Sequence, residues 1–174
     1  MKNYIFYLLI TALFISCDVA VETDVKVGEN KIGYEVSDNG EKTSLIAGDM
    51  STIEVWEKYV QAHNDGDLDA IKNLNHDDIK IWGPDGAIIE GSDTHIEFLA
   101  NWFKQNNPQW KTKYMIANEI TENDTLKQWV TSCHDMELMV DSKSVKINQI
   151  HDALILDGKV KMFFINERLL VENK

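Results

Sequence analysis

Apolar positions along the chain follow two periods. From Ser51 to Asn64, Ile53, Trp56, Tyr59, Val60 and His63 recur at helical spacing. Gly66 follows as a C-terminal stop, and Asp67 caps a second short helix, LDAIKNL, whose first turn carries Asp69. DIKIW then alternates, GPDG turns, and AIIEG returns as a second strand. SDTHIEF opens a third helix with Ser92 or Thr94 as cap and Glu97 closing a capping box on Thr94. That helix runs to about Gln105 with a broad apolar face of His95, Ile96, Phe98, Leu99, Trp102 and Phe103. Four strands follow, near 109–121, 125–140, 143–156 and 159–170, joined at TEND, DS and DG. The order predicts an α+β domain: a curved antiparallel sheet wrapped around three N-terminal helices.

Tight turns give a register. A two-residue turn at Asp157-Gly158 pairs Ala153 with Met162, His151 with Phe164 and Gln149 with Asn166. A similar turn at Asp141-Ser142 pairs His134 with Gln149 and Ser132 with His151. All of these share one sheet face by the period-two rule. That face is apolar at both ends and polar in the middle, at Ser132, His134, Gln149, His151 and Asn166, which suits a ligand pocket. Met162 and Phe164 join its wall, His63 faces it from the first helix, and Phe98 and Trp102 wall its mouth. The plainer alternative is a filled cone whose polar residues satisfy each other. The opposite face takes Trp129, Ile150, Leu154, Phe163 and Ile165. Such an exposed apolar patch marks an interface. Cys133 also falls there, as a packed residue without catalytic company.

The stretch before the helices has another character. MKNYIFYLLITALFISC has Lys2, an apolar run from Tyr4 to Ile15, and Ser16-Cys17. The run is shorter than the roughly 20 residues that span a bilayer. It reads as a secretory signal ending in a bacterial lipobox, with cleavage before Cys17 and acylation of that residue. The expected divisions are therefore 1–16, a lipoprotein signal peptide; 17–48, an acidic flexible tether; and 49–171, the globular domain. Residues 18–49 carry acids at 18, 22, 24, 29, 35, 38, 41 and 49 against lysines at 26, 31 and 42. Its apolar residues are too scattered to offset ordering entropy, although DVKV and KIGYEV could pair as a hairpin. The expected location is the bacterial cell envelope, with the membrane reached through lipidated Cys17. With Cys17 acylated, Cys133 has no disulfide partner.

The formal charge of −12 becomes −13 once Lys2 is removed with the signal. A surface this acidic argues against nucleic acid and anionic lipid as partners. Metal readings fare little better. Asp65, Asp67 and Asp69 begin like a calcium loop, but its sixth and twelfth positions are Ala70 and His76. His63 and His76 lack zinc spacing, and His134 with His151 has no carboxylate on its face. Neither a metal nor a cofactor is expected.

KYVQAHNDGDLDAIKNLNHDDIKIWGPDG, EGSDTHIEFL and the DGKV turn resemble the nuclear transport factor 2-like superfamily over about residues 50 to 170. This is the cone-shaped fold of ketosteroid isomerases and SnoaL-like polyketide cyclases. The resemblance implies an oxyanion-stabilising role for Tyr59. It puts Gly83 where isomerases carry their basic aspartate, and His151 where cyclases carry an acid/base aspartate. It also implies a sheet-to-sheet homodimer. The fold hosts enzymes and binding domains alike. The expected function is an envelope-anchored domain binding a small, largely apolar ligand. The alternatives are an isomerase, cyclase or dehydratase using His151 with Tyr59 or His134 as acid/base, and a protein-interaction module.

Overall fold

The computed structural model describes residues 30–170 of the chain. The signal segment, Cys17 and the first part of the expected tether lie outside them. The elements in order are β1 (Lys31–Val36), β2 (Lys42–Ala47), α1 (Met50–Asp65), α2 (Leu68–Leu74), β3 (Asn75–Trp82), β4 (Ile88–Glu90), α3 (Ser92–Asn106), β5 (Gln109–Glu122), β6 (Thr125–Val140), β7 (Lys143–Leu156) and β8 (Lys159–Leu169).

Local chemistry sets these boundaries. Asp49 caps α1 by accepting from the Ser51 amide, and Gly66 ends the helix in the left-handed region at φ 65°. Asp67 caps α2 by accepting from the Ala70 amide at 2.9 Å. The start of α3 departs from expectation. Its cap is Gly91, at φ 89°, without a side-chain hydrogen bond. Ser92 instead turns its hydroxyl inward to accept from Asn75 Nδ2 at 3.1 Å. The three long hairpins turn on Asn123-Asp124, Asp141-Ser142 and Asp157-Gly158, all at positive φ. Asn, Asp and Gly tolerate that region best, and turns of this hand match the strand twist.

One eight-stranded sheet runs β1-β2-β5-β6-β7-β8-β3-β4. Six of its seven strand pairs are antiparallel, but β3 and β8 run parallel, so the sheet is mixed. The helices pack on its concave side. Trp56 and Tyr59 of α1 and Ile71 of α2 are fully buried against Ile79, Val130, Ala153, Val160 and Phe163.

Residues 31–47, expected in a flexible tether, form a hairpin instead. KIGYEV pairs with KTSLIA, and Ile46 and Ala47 pair with Glu119 and Asn118 at the edge of the sheet. Composition suggested too little apolar surface; the hairpin gains order by extending an existing edge, which supplies ready backbone partners.

The β6–β7 register agrees with the turn argument throughout: Ser132 meets His151 and His134 meets Gln149. The β7–β8 register agrees only next to the turn. Ile155 pairs with Val160, but Leu154 pairs with Met162, so Lys161 is an extra residue in β8. Beyond this bulge His151 faces Ile165 and Gln149 faces Glu167. Phe163, Ile165 and Glu167 therefore take the inner face expected for Met162, Phe164 and Asn166. Phe164 lies outside, stacked on Trp82 at 4.5 Å and near Trp129 at 6.3 Å. A second bulge, at Lys113, interrupts β5 between Thr112 and Tyr114.

Gly48 sits where β2 passes closest to β5. An added Cβ there would meet the Asn118 amide nitrogen at 2.8 Å and the Ala117 carbonyl carbon at 3.0 Å. Gly48→Ala is expected to lower stability by about 1–3 kcal/mol, since backbone cannot yield as a side chain does. Gly33→Ala, whose Cβ would meet only Leu45 at 3.8 Å, should change it by less than about 0.5 kcal/mol. Urea unfolding midpoints of the two variants check the contrast.

Candidate functional site

The helices do not fill the cone completely. A cavity of about 620 Å³ lies between α1, α3 and the concave sheet, which falls within the range of small-molecule sites. Its wall is mostly apolar: Trp56, Ile81, Leu99, Trp110, Leu138 and Phe163 among others. Phe98 and Trp102 stack at 6.3 Å, with Phe98 half exposed.

Of the residues expected to form a site, the cavity collects Tyr59, His63, Phe98, Trp102, Gln149 and His151. Ser132 and His134 lie behind the wall, both fully buried. Met162, Phe164 and Asn166 are on the outer face because of the Lys161 bulge. The cavity also takes residues not singled out from sequence: His95, Trp110, Asp85 and Glu167. The alternating pattern of β8 held a signal for Glu167, but it reads correctly only once the extra residue is known. His76 is outside the site and pairs with Asp78 on the surface.

Two hydrogen-bond systems hold the polar side chains. The first is centred on Gln149. Its Oε1 accepts from Trp110 Nε1 at 2.8 Å and from His151 Nε2 at 3.1 Å, while its Nε2 donates to Glu167 Oε2 at 3.0 Å. An indole nitrogen only donates. Trp110 therefore fixes which end of the Gln149 amide faces inward, and that oxygen requires a proton on His151 Nε2. The neutral ring then carries its lone pair on Nδ1, which is buried without a partner.

The second system starts from Tyr59. Its hydroxyl donates to Asn75 Oδ1 at 2.7 Å, and Asn75 Nδ2 in turn reaches Ser92 and His95 Nδ1. The phenolic proton is thus committed to the core. His63 donates from Nδ1 to the Tyr59 carbonyl at 2.8 Å, which leaves Nε2 as an acceptor. Behind the wall, Ser132 Oγ accepts from Trp56 Nε1 at 2.8 Å and meets His134 Nε2 at 2.9 Å. His134 Nδ1 meets Thr112 at 3.2 Å, so both ring nitrogens are partnered. His134 holds the wall rather than facing the cavity.

Burial governs the charge state of these groups. It lowers His63 to about 4 against the pull of the Tyr59 carbonyl, and His134 to about 4. Burial, reinforced by His63, lowers His95 to about 3. His151 is held well below the usual histidine range, first by burial and then by His134 and His63. The Tyr59 phenol is pushed well above its usual value by burial. At neutral pH the four imidazoles and the phenol are all uncharged. Among the described residues no group of three or more histidine, cysteine or acidic side chains could hold a metal ion.

Neutral buried histidines have a consequence for stability. Each binds its proton more weakly folded than unfolded, so its contribution is complete above about pH 6.5 and is lost as pH falls toward the folded value. Stability is expected to hold from pH 8 to 6.5 and then drop steeply toward pH 4. His134→Gln should reduce that slope by about one proton. Urea titrations at stepped pH measure both.

Residues 56–136 match the family model for a SnoaL-like domain. No match was found among curated proteins. Among solved structures, the chain resembles an LEH-like epoxide hydrolase from M. tuberculosis with a TM-score of 0.58 and 13% identity, over 68% of this chain and 84% of that one. SalBIII, an epoxide hydrolase/cyclase-like enzyme of pyran ring formation in the polyether salinomycin, gives 0.58 and 18%, over 68% and 92%. TerC, co-crystallised with polyporic acid, gives 0.51 and 18%, over 66% and 89%. Identities this low speak for the fold alone. The shared fold is the NTF2-like cone, and within it residues 56–136 are similar to a SnoaL-like domain.

Proposed function

We propose that this protein is a lipid-anchored domain of the bacterial cell envelope that binds a small, largely apolar ligand in its cone. The observation that carries this reading is the cavity of about 620 Å³, walled mostly by aromatic and aliphatic side chains. A filled cone serving only as a protein-interaction module would leave no such space. The fold neighbours named above include enzymes and a protein co-crystallised with a small molecule, so the comparison is compatible with binding.

The second reading is an isomerase, cyclase or dehydratase working through His151 with Tyr59 or His134. The presence of His151 and Tyr59 together on the cavity wall favours it. Against it, burial makes His151 a weak base, the Tyr59 proton is held by Asn75, and His134 stands outside the cavity. His151→Ala would separate the readings: lost turnover with retained ligand affinity marks an enzyme, and lost affinity marks a binder. Native mass spectrometry of the protein purified from a bacterial host is expected to reveal a co-purifying small molecule. Ile165→Trp, which fills the cavity from β8, should abolish it. A protein that is empty in both forms counts against the pocket reading.

Anchoring rests on the lipobox-like LFISC and homodimerisation on the outer sheet face. Corrected for the bulge, that face carries Trp82, Trp129, Ile150, Leu154, Met162 and Phe164. Two measurements check these. The wild type should sediment with membranes, whereas Cys17→Ser should not. Light scattering of the detergent-solubilised protein should give twice the chain mass, and a monomer at micromolar concentration would count against the dimer.

A further inference from the structure

The cavity holds two imidazoles whose free nitrogens are opposite in kind. His63, in the last turn of α1, donates from Nδ1 to the Tyr59 carbonyl at 2.8 Å. A carbonyl only accepts, so Nδ1 carries the hydrogen and Nε2 the lone pair. His95, in the first turn of α3, is tied at Nδ1 to Asn75 Nδ2 at 3.3 Å. The Tyr59 hydroxyl orients that amide by donating to Asn75 Oδ1. Nδ1 of His95 therefore accepts, and the ring hydrogen is on Nε2. Both residues line the cavity. Neither Nε2 has a partner among the described residues, and neither is sealed by protein as His151 Nδ1 is.

The two rings are neighbours, with centroids 5.9 Å apart and planes at 33°. Tyr59, Phe103 and Trp110 pack on His63 at 4.6, 5.9 and 5.8 Å and hold its ring in place. His95 is 3% exposed and stands against Phe163. Burial lowers His63 to about 4 and His95 to about 3, so both are uncharged at neutral pH. Donors occur elsewhere on the wall, at Trp102 and Asn106. What distinguishes this corner is a fixed acceptor beside a fixed donor. An anion would set its lone pairs against that of His63, and an ammonium would set its hydrogens against that of His95. A ligand with no polar head would displace water from both nitrogens and replace neither bond. A group that donates and accepts at adjacent atoms satisfies both.

Resting on the pocket reading above, we infer that His63 and His95 form the polar subsite of the cavity, and that its ligand is an apolar molecule with a neutral lactam-like or hydroxy-carbonyl head. The head donates its N–H or O–H to His63 Nε2, and its carbonyl accepts from His95 Nε2.

Two tricyclic probes and two variants test this. The probes are 6(5H)-phenanthridinone, a lactam, and its N-methyl derivative, which keeps the carbonyl and loses the N–H. Both are titrated by fluorescence into the full chain at pH 7.5. The lactam is expected to bind about tenfold tighter than the N-methyl compound. In His63→Phe, which keeps a ring and removes the acceptor, the two should bind alike. In His95→Phe both should weaken by about tenfold while their ratio is kept. Nitrogen-15 NMR of the histidine side chains reads the same contacts in the unaltered protein, so it decides the matter if a variant fails to fold. The lactam should shift the unprotonated Nε2 of His63, and the N-methyl compound should not. Equal binding of the two probes by the wild type, or a hydrogen found on His63 Nε2, overturns the inference and leaves the pocket reading intact. If neither probe binds, the pocket reading falls and the inference with it.

Discussion

Two lysines that do not fit their strands shape the concave face of this protein. Lys113 in β5 and Lys161 in β8 are each an extra residue against a regular neighbour. A bulge bends the strand, increases its twist and reverses which side chains face inward beyond it. Each bulged lysine is held by an aspartate of the adjoining strand, Lys113 by Asp135 and Lys161 by Asp78. These exposed ion pairs contribute little to stability. Their placement matters more: Phe163, Ile165 and Glu167 reach the cavity only because Lys161 does not pair, and Trp110 lies beyond the kink at Lys113.

On the face so defined, polarity is organised by groups with no freedom of choice. Trp56 and Trp110 can only donate, so Ser132 and Gln149 must present oxygen to them. The orientation passes from the Gln149 amide to His151. A network of this kind orders its members as well as satisfying them.

Much of this was legible in sequence. The apolar spacing of α1, the Asp67 cap, the Gly66 stop and the three Asx-containing turns are local signals with local causes. The β6–β7 register followed from Asp141-Ser142 because that hairpin is regular along its whole length. The β7–β8 register failed because a bulge is set by packing across the sheet. Lys161 is an ordinary strand residue until Asp78 is brought beside it from β3. His95 looked like one more residue of an apolar helix face; its partners, Tyr59 and Asn75, come from two other elements. The hairpin at 31–47 was masked by its own polarity, since what orders it is an edge lying more than 70 residues downstream: Ile46 pairs with Glu119.

The single parallel pairing has a kinetic meaning. Strands β5 to β8 form as successive hairpins, each closing a turn of two residues. The β3–β8 seam instead joins residues such as Lys80 and Met162, which are 82 positions apart (162 − 80). Among the strand pairs described, it spans the greatest sequence separation, and loop-closure entropy rises with separation. Ile81 and Phe163, paired across that seam, both line the cavity. The chamber is thus bounded by the costliest closure in the fold, and its walls meet only after the meander has a surface to offer.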